Sequence, residues 1–167
     1  MTTTPGPSEL RAAARVLASP ALIRLITEID DNGPIPPRTL TATLPDLTRS
    51  SARRAVHMAR AHGLVQAGPA GGLDLTDSGF HLAAFYDATA RWARHHAYPT
   101  PVSTFTTRIQ HTLDLLVHLL ATQSADGSGA DLPGAEAAGE DLPGLLIRWL
   151  TANPQLTQPV TEYEPAA

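Results

Sequence analysis

Residues 33–65 read GPIPPRTLTATLPDLTRSSARRAVHMARAHGLV, and the order of signals within them decides the fold. Gly33 and Pro34 break whatever precedes them. Pro36 and Pro37 can open a helix, because proline is tolerated in a first turn. Leu40 and Leu44 lie four residues apart on its buried edge. Pro45-Asp46 is a turn pair, and Thr48 has the side chain to cap a following helix over residues 49–62. In that second helix Ala52, Val56 and Ala59 form an inward stripe of small side chains. Ser50, Arg53, Arg54, His57 and Arg60 are left on the outward face. Gly63 closes the helix and Leu64-Val65 begins a strand.

Working outward, VQAG and LDLT flank the tip Gly68-Pro69-Ala70-Gly71-Gly72, the pattern of a short β-hairpin. Asp77 or Ser78 is placed to cap a long helix over 79–96, which Pro99 and Pro101 interrupt. Upstream, residues 1–7 are expected to be disordered, and Ser8 to cap a first helix. Ser19-Pro20 opens another, in which Leu22, Leu25, Ile26 and Ile29 share a core-facing stripe. Downstream, a helix is expected over 103–122. Residues 124–141, rich in Gly, Ala and acid, read as a flexible linker. The apolar run LLIRWL at 145–150 reads as a short helix before a Pro-rich acidic tail. Two helices across a tight turn, then a hairpin, outline a winged helix-turn-helix. The expected fold is therefore mainly α with a small β-hairpin, a winged helix-turn-helix over 8–98 with additional C-terminal helices. Those are a dimerisation helix at 99–123 and, after the linker, a short helix and tail at 142–167.

Composition removes whole classes of chemistry. The 167 residues contain no cysteine, so disulfides, thiolate nucleophiles, Cys-ligated zinc and iron–sulfur clusters are excluded. All 12 basic residues are arginine, which excludes a Walker-type phosphate loop and lysine Schiff-base chemistry. This lysine-free, alanine-rich usage resembles the coding bias of a GC-rich bacterial genome. The net charge of −4 hides an asymmetry. Residues 1–100 carry ten arginines against eight carboxylates, whereas 101–167 carry two against eight. Attraction to phosphate is local, screened within about 8 Å at physiological salt, so an acidic total is compatible with a basic face. The N-terminal MTTTPGPS has neither the basic nor the apolar part of a signal peptide. The longest apolar run, 113–121, is broken by Asp114 and His118 and is too short for a bilayer. A soluble, cytoplasmic protein is expected.

The residues Gly33-Pro34, Leu40, Leu44-Pro45, Leu47-Thr48 and Gly63-Leu64-Val65 resemble, in order and spacing, the helix-turn-helix of HxlR-type regulators of the MarR/PadR-like superfamily. Leu75-Thr76, Gly79 and Leu82, then Trp92-Ala93, are similar to that family's strand-to-helix junction and the helix after it. The likeness spans residues 20–96 and implies a winged helix that dimerises through terminal helices and represses or activates transcription. Three features differ from the family pattern: the hairpin is short and lacks arginine, Ala52 replaces a larger aliphatic, and cysteine-based sensing is excluded.

These readings assign the sites. Arg49, Ser50, Ser51, Arg53, Arg54, His57 and Arg60 are the candidate contacts to double-stranded DNA, since a guanidinium fork suits both phosphates and guanine edges. Ile109, Leu113, Leu116 and Leu120, spaced four, three and four, form a seam expected to join a homodimer. Phe85, Tyr86, Trp92 and Phe105 are the candidate pocket for a small apolar effector. His111, Asp114 and His118 share a helix face, but its ends lie about 10.5 Å apart along the axis, too far for one ion. No metal or cofactor is assigned. No G-x-S-x-G, H-E-x-x-H or lysine-bearing phosphate loop occurs, so no enzyme is expected. The function expected is a sequence-specific DNA-binding transcriptional regulator. The alternative is a winged-helix module that has lost DNA binding and serves as a protein-interaction or small-molecule-binding adaptor.

Overall fold

The chain's computed structural model describes residues 4–126 and 141–158. It is mainly helical, with one small antiparallel sheet. Helix α1 spans Pro7–Leu17 and buries Leu10, Ala13 and Leu17. Its start lies earlier than Ser8 suggests: the Glu9 carboxylate accepts a 2.7 Å hydrogen bond from the backbone of Gly6, and Pro7 occupies the first turn. Pro5 is already buried, so order reaches into the segment expected to be disordered; residues 1–3 lie outside those described.

Helix α2, Pro20–Asn32, begins at Ser19, whose hydroxyl accepts from Leu22 N. It ends at Gly33, whose φ of 87° is a conformation that favours glycine. Ile23 joins the four expected core residues, giving five buried aliphatics on a 13-residue helix. The next helix is shorter than the prolines predict. Pro36, Pro37 and Arg38 form a turn, with Arg38 at a φ of 73°, and only Leu40–Thr43 is helical (α3). A left-handed residue cannot lie within a right-handed helix, so α3 starts after it.

Helix α4 is Arg49–Ala61. Strands β1, Val65–Ala67, and β2, Leu73–Leu75, pair antiparallel with Val65 opposite Leu75 and Ala67 opposite Leu73. Ile35 extends this sheet by one residue, exchanging hydrogen bonds of 2.9 and 2.8 Å with Leu73. The tip has to be glycine-rich for two reasons. Gly71 has a φ of 78°, and a Cβ on Gly72 would lie 2.9 Å from the Ile35 carbonyl.

Helix α5, Asp77–His95, is capped by Thr76, whose hydroxyl accepts from Gly79 N at 3.2 Å. Asp77 and Ser78 lie inside the helix. Its buried residues run almost all the way round, because α2 and α6 pack on it together with the C-terminal helix. Helix α6, Phe105–Asp126, takes in Ser124–Asp126, assigned above to the linker; residues 127–140 lie outside those described. Helix α7, Leu142–Ala152, begins earlier than residue 145. Asp141 accepts from Gly144 N at 3.0 Å, Pro143 stands in the first turn, and a Cβ on Gly144 would collide with the Asp141 carboxylate. The DLPG at 141–144 is thus a helix start. A one-turn 3-10 helix, Pro154–Leu156, follows.

One cluster of buried side chains joins α1 to α7. Two orphan carbonyls at the end of α1 are met from elsewhere in it: Tyr86 donates to Leu17 O at 2.6 Å and Gln110 to Ala18 O at 2.8 Å. Ile109, Leu113, Leu116 and Leu120 are at most 9 % exposed in the single chain, and α6 packs against α1 and α5. The seam expected to meet a second subunit is covered from within, because 167 residues suffice to sheathe it. Among the described residues no helix is long and apolar enough to cross a membrane.

A seam buried this way contributes to the stability of one chain. Leu116→Ala should lower the unfolding free energy by about 2–5 kcal/mol. The loss, followed by denaturant unfolding, should not change over about a hundredfold range of protein concentration. A parent unfolding midpoint that rises with protein concentration would return the seam to a subunit interface.

Candidate nucleic-acid interface

The outward face of α4 is built from its two ends and its underside. At the start, Thr48 Oγ1 accepts from Ser51 N at 3.1 Å and donates to Ser51 Oγ at 2.9 Å, so Ser51 is engaged in the cap and half-buried. At the end, Leu64 N bonds Ala59 O at 2.8 Å and Gly63 N bonds Arg60 O at 3.0 Å, with Gly63 at a φ of 67°. This pair of bonds stops the helix and drives Leu64 into the core. Beneath, Ala52, Ala55 and Ala59 are buried, and α4 packs against α2 and α3. Val56, expected in that stripe, is half-buried at its edge and Ala55 takes its place.

With that underside fixed, Arg49, Ser50, Arg53, Arg54, His57 and Arg60 are all exposed. Thr48, Arg49, Ser50, Arg53 and Arg54 line an open concavity of about 570 Å³. None of the four guanidinium groups has a hydrogen-bond or ion-pair partner among the described residues. The carboxylate nearest in sequence, Asp46, is occupied instead by Arg24 of α2, at 3.1 and 3.3 Å from its Nε. Arg24 also bonds Glu28 at 2.6 Å. Those contacts, the Glu28 hydrogen bond foremost, hold its pKa above the ordinary arginine value. Arg24 therefore satisfies both neighbouring acids, and the charge on α4 is left unneutralised.

The hairpin tip adds no charge to this face. Gly71 approaches Pro37, so the tip leans toward the turn that carries exposed Arg38.

The four aromatic residues expected to line one pocket are dispersed. Tyr86 is fully buried in the core, and Trp92 stacks on His96 at 4.5 Å and meets Tyr98 edge-on. Phe105 opens α6 and is partly exposed. Phe85 alone faces a cavity, a cleft of about 620 Å³ between α5 and α7. Across it stand Trp149, Arg148 and Leu145, which the sequence reading did not select. A usable signal was present: Ser78, His81, Phe85, Ala88 and Arg91 recur at helical spacing opposite an apolar helix that would have to land somewhere. Among the described residues no three His, Asp or Glu side chains gather closely enough to hold a metal ion.

Comparison of the chain with protein-family models, with curated proteins and with solved structures finds no match.

At the end of α4, burial pushes the pKa of His62 below its ordinary value. Between that depressed value and about 6.5 the unfolded chain binds more protons than the folded one. Stability is therefore held above about pH 6.5 and lost as pH falls through the depressed pKa. His62→Gln should flatten the fall in melting temperature between about pH 7.5 and 5.5; a slope equal to the parent's would refute this assignment.

Proposed function

We propose that this protein is a sequence-specific DNA-binding transcriptional regulator, a winged helix-turn-helix most similar to HxlR-type regulators. Helix α4 enters the major groove and the hairpin of β1 and β2 serves as a small wing. The observation that carries the reading is the set of four exposed arginines on α4 without partners among the described residues, beside an Asp46 already taken by Arg24. Supporting it are the order α3, turn, α4, hairpin, and the one-residue third rung at Ile35. Such a sheet fixes the hairpin relative to α4, as a wing requires. If two copies bind a palindrome as a homodimer, they meet through a face other than the α6 seam.

A second reading, an interaction module that does not bind DNA, is favoured by two observations. The hairpin tip is uncharged, and the C-terminal helix frames an apolar cleft.

Arg53 and Arg54 point about 100° apart, which suits one to a base edge and the other to a phosphate. Losing a base contact costs about 1–3 kcal/mol and relaxes specificity at one position. Losing a phosphate contact weakens all sequences alike and reduces the salt slope by about one unit. The parent, titrated against genomic DNA fragments at two salt concentrations, should show a steep salt dependence. An R53A/R54A double variant should bind at least about tenfold more weakly while melting at the parent's temperature, since both side chains are exposed. Equal binding by parent and double variant would transfer the function to the interaction module.

A further inference from the structure

The cleft between α5 and α7 has walls and a rim of different chemistry. Phe85 and Ala88 of α5 face Trp149 and Leu145 of α7, giving two aromatic rings and short aliphatic neighbours. The Trp149 indole N–H donates to Ser78 O at 3.1 Å, which fixes the ring's orientation and uses its one polar atom. Asn153, also at the wall, is occupied as well: its amide donates to Trp149 O at 2.8 Å and accepts from Gln155 at 3.4 Å. Ser78 and His81 of α5 also line the cleft, and the rest of its interior is apolar. Arg91, whose charge acts on Asp87, stands on one side of the rim and Arg148 on the other, and no carboxylate lines the cleft. Arg148 is exposed; its Nε leans on Gly144 O at 3.4 Å, and it has no ion pair among the described residues.

We infer that this cleft is a binding site for a small organic carboxylate with a flat apolar body. The volume, about 620 Å³, lies inside the range of about 300–1,000 Å³ usual for small-molecule sites. Phe85 and Trp149, 4 % and 7 % exposed, give the cleft an apolar floor on which a planar body can rest. The carboxylate then reaches Arg148 at the rim, where a planar guanidinium can hold both oxygens. A cationic ligand meets the like charge of Arg148, and an uncharged one leaves its guanidinium fork unused. The site is remote in sequence from the arginines of α4, and binding there can be measured without DNA.

Calorimetric titration of the full chain with 2-naphthoate, and with 2-naphthamide as its uncharged counterpart, tests the inference. Naphthoate should bind at least about tenfold more tightly than the amide. Arg148→Gln, a change at an exposed position, should abolish that preference while leaving the melting temperature unchanged. Ala84→Trp, from an exposed lining position, should fill the cleft and abolish binding of both compounds, with the helical circular dichroism of the parent. Absence of naphthoate binding, equal affinity of the parent for acid and amide, a preference for the acid that survives Arg148→Gln, or naphthoate binding that survives Ala84→Trp would each overturn the assignment.

Discussion

Five side chains on α2, Leu22, Ile23, Leu25, Ile26 and Ile29, form the surface on which the molecule is assembled. All are at most 2 % exposed, and α1, α4, α5, α6 and β2 pack against their helix. A 13-residue helix can serve so many neighbours only if its apolar arc is wide. Adding Ile23 to the 22/25/26/29 stripe widens it enough for elements to meet on both flanks. Burying one such side chain contributes about 1.5–3 kcal/mol, so the five together outweigh any single hydrogen bond in the fold. The polar residues of the same helix are left to a second task, which Arg24 performs.

That task explains the charge pattern of α4. A helix with four arginines and no acid repels itself, and its closest remedy would be the carboxylate in the turn before it. Arg24 removes that remedy by engaging Asp46 and Glu28 together. Both contacts are partly solvated, so the arrangement contributes little to stability. Its consequence is electrostatic. The same α2 that packs against α4 also withholds the nearest counter-charge from its outer face, and packing and potential are set by opposite sides of one helix.

The sequence made local structure legible wherever one residue had only one use. Ser19-Pro20, Thr48 and the glycines at 33 and 63 marked helix ends because cap geometry tolerates few alternatives. It misled where two neighbours could do the same work. Thr76 rather than Asp77 caps α5, Ala55 rather than Val56 lies under α4, and Glu9 reaches back past Ser8 to begin α1 earlier. The outward arginines of α4 were readable because helical spacing and a buried underside leave them no other direction. The α6 seam was not assignable, since a 4-3-4 leucine spacing is the same whether its partner is another subunit or α1 and α5. Aromatic residues grouped in sequence gave no cleft, because a helix turns consecutive rings away from one another.

The C-terminal segment, outside residues 20–96, adds what those residues could not contain. Leu146, Trp149, Leu150 and Leu156 complete the common core, and Trp149 and Asn153 shape the cleft on α5. From the same segment Gln155 donates to the carbonyl of His62 at 2.8 Å, supplying a partner to the last residue of the α4 cap. Asn153, at the cleft wall, accepts from that same Gln155 amide. One Gln155 amide thus stands between the cleft wall and the end of α4, at 2.8 Å from His62 O and 3.4 Å from Asn153 Oδ1, so the segment that closes the core also touches the helix that bears the arginines.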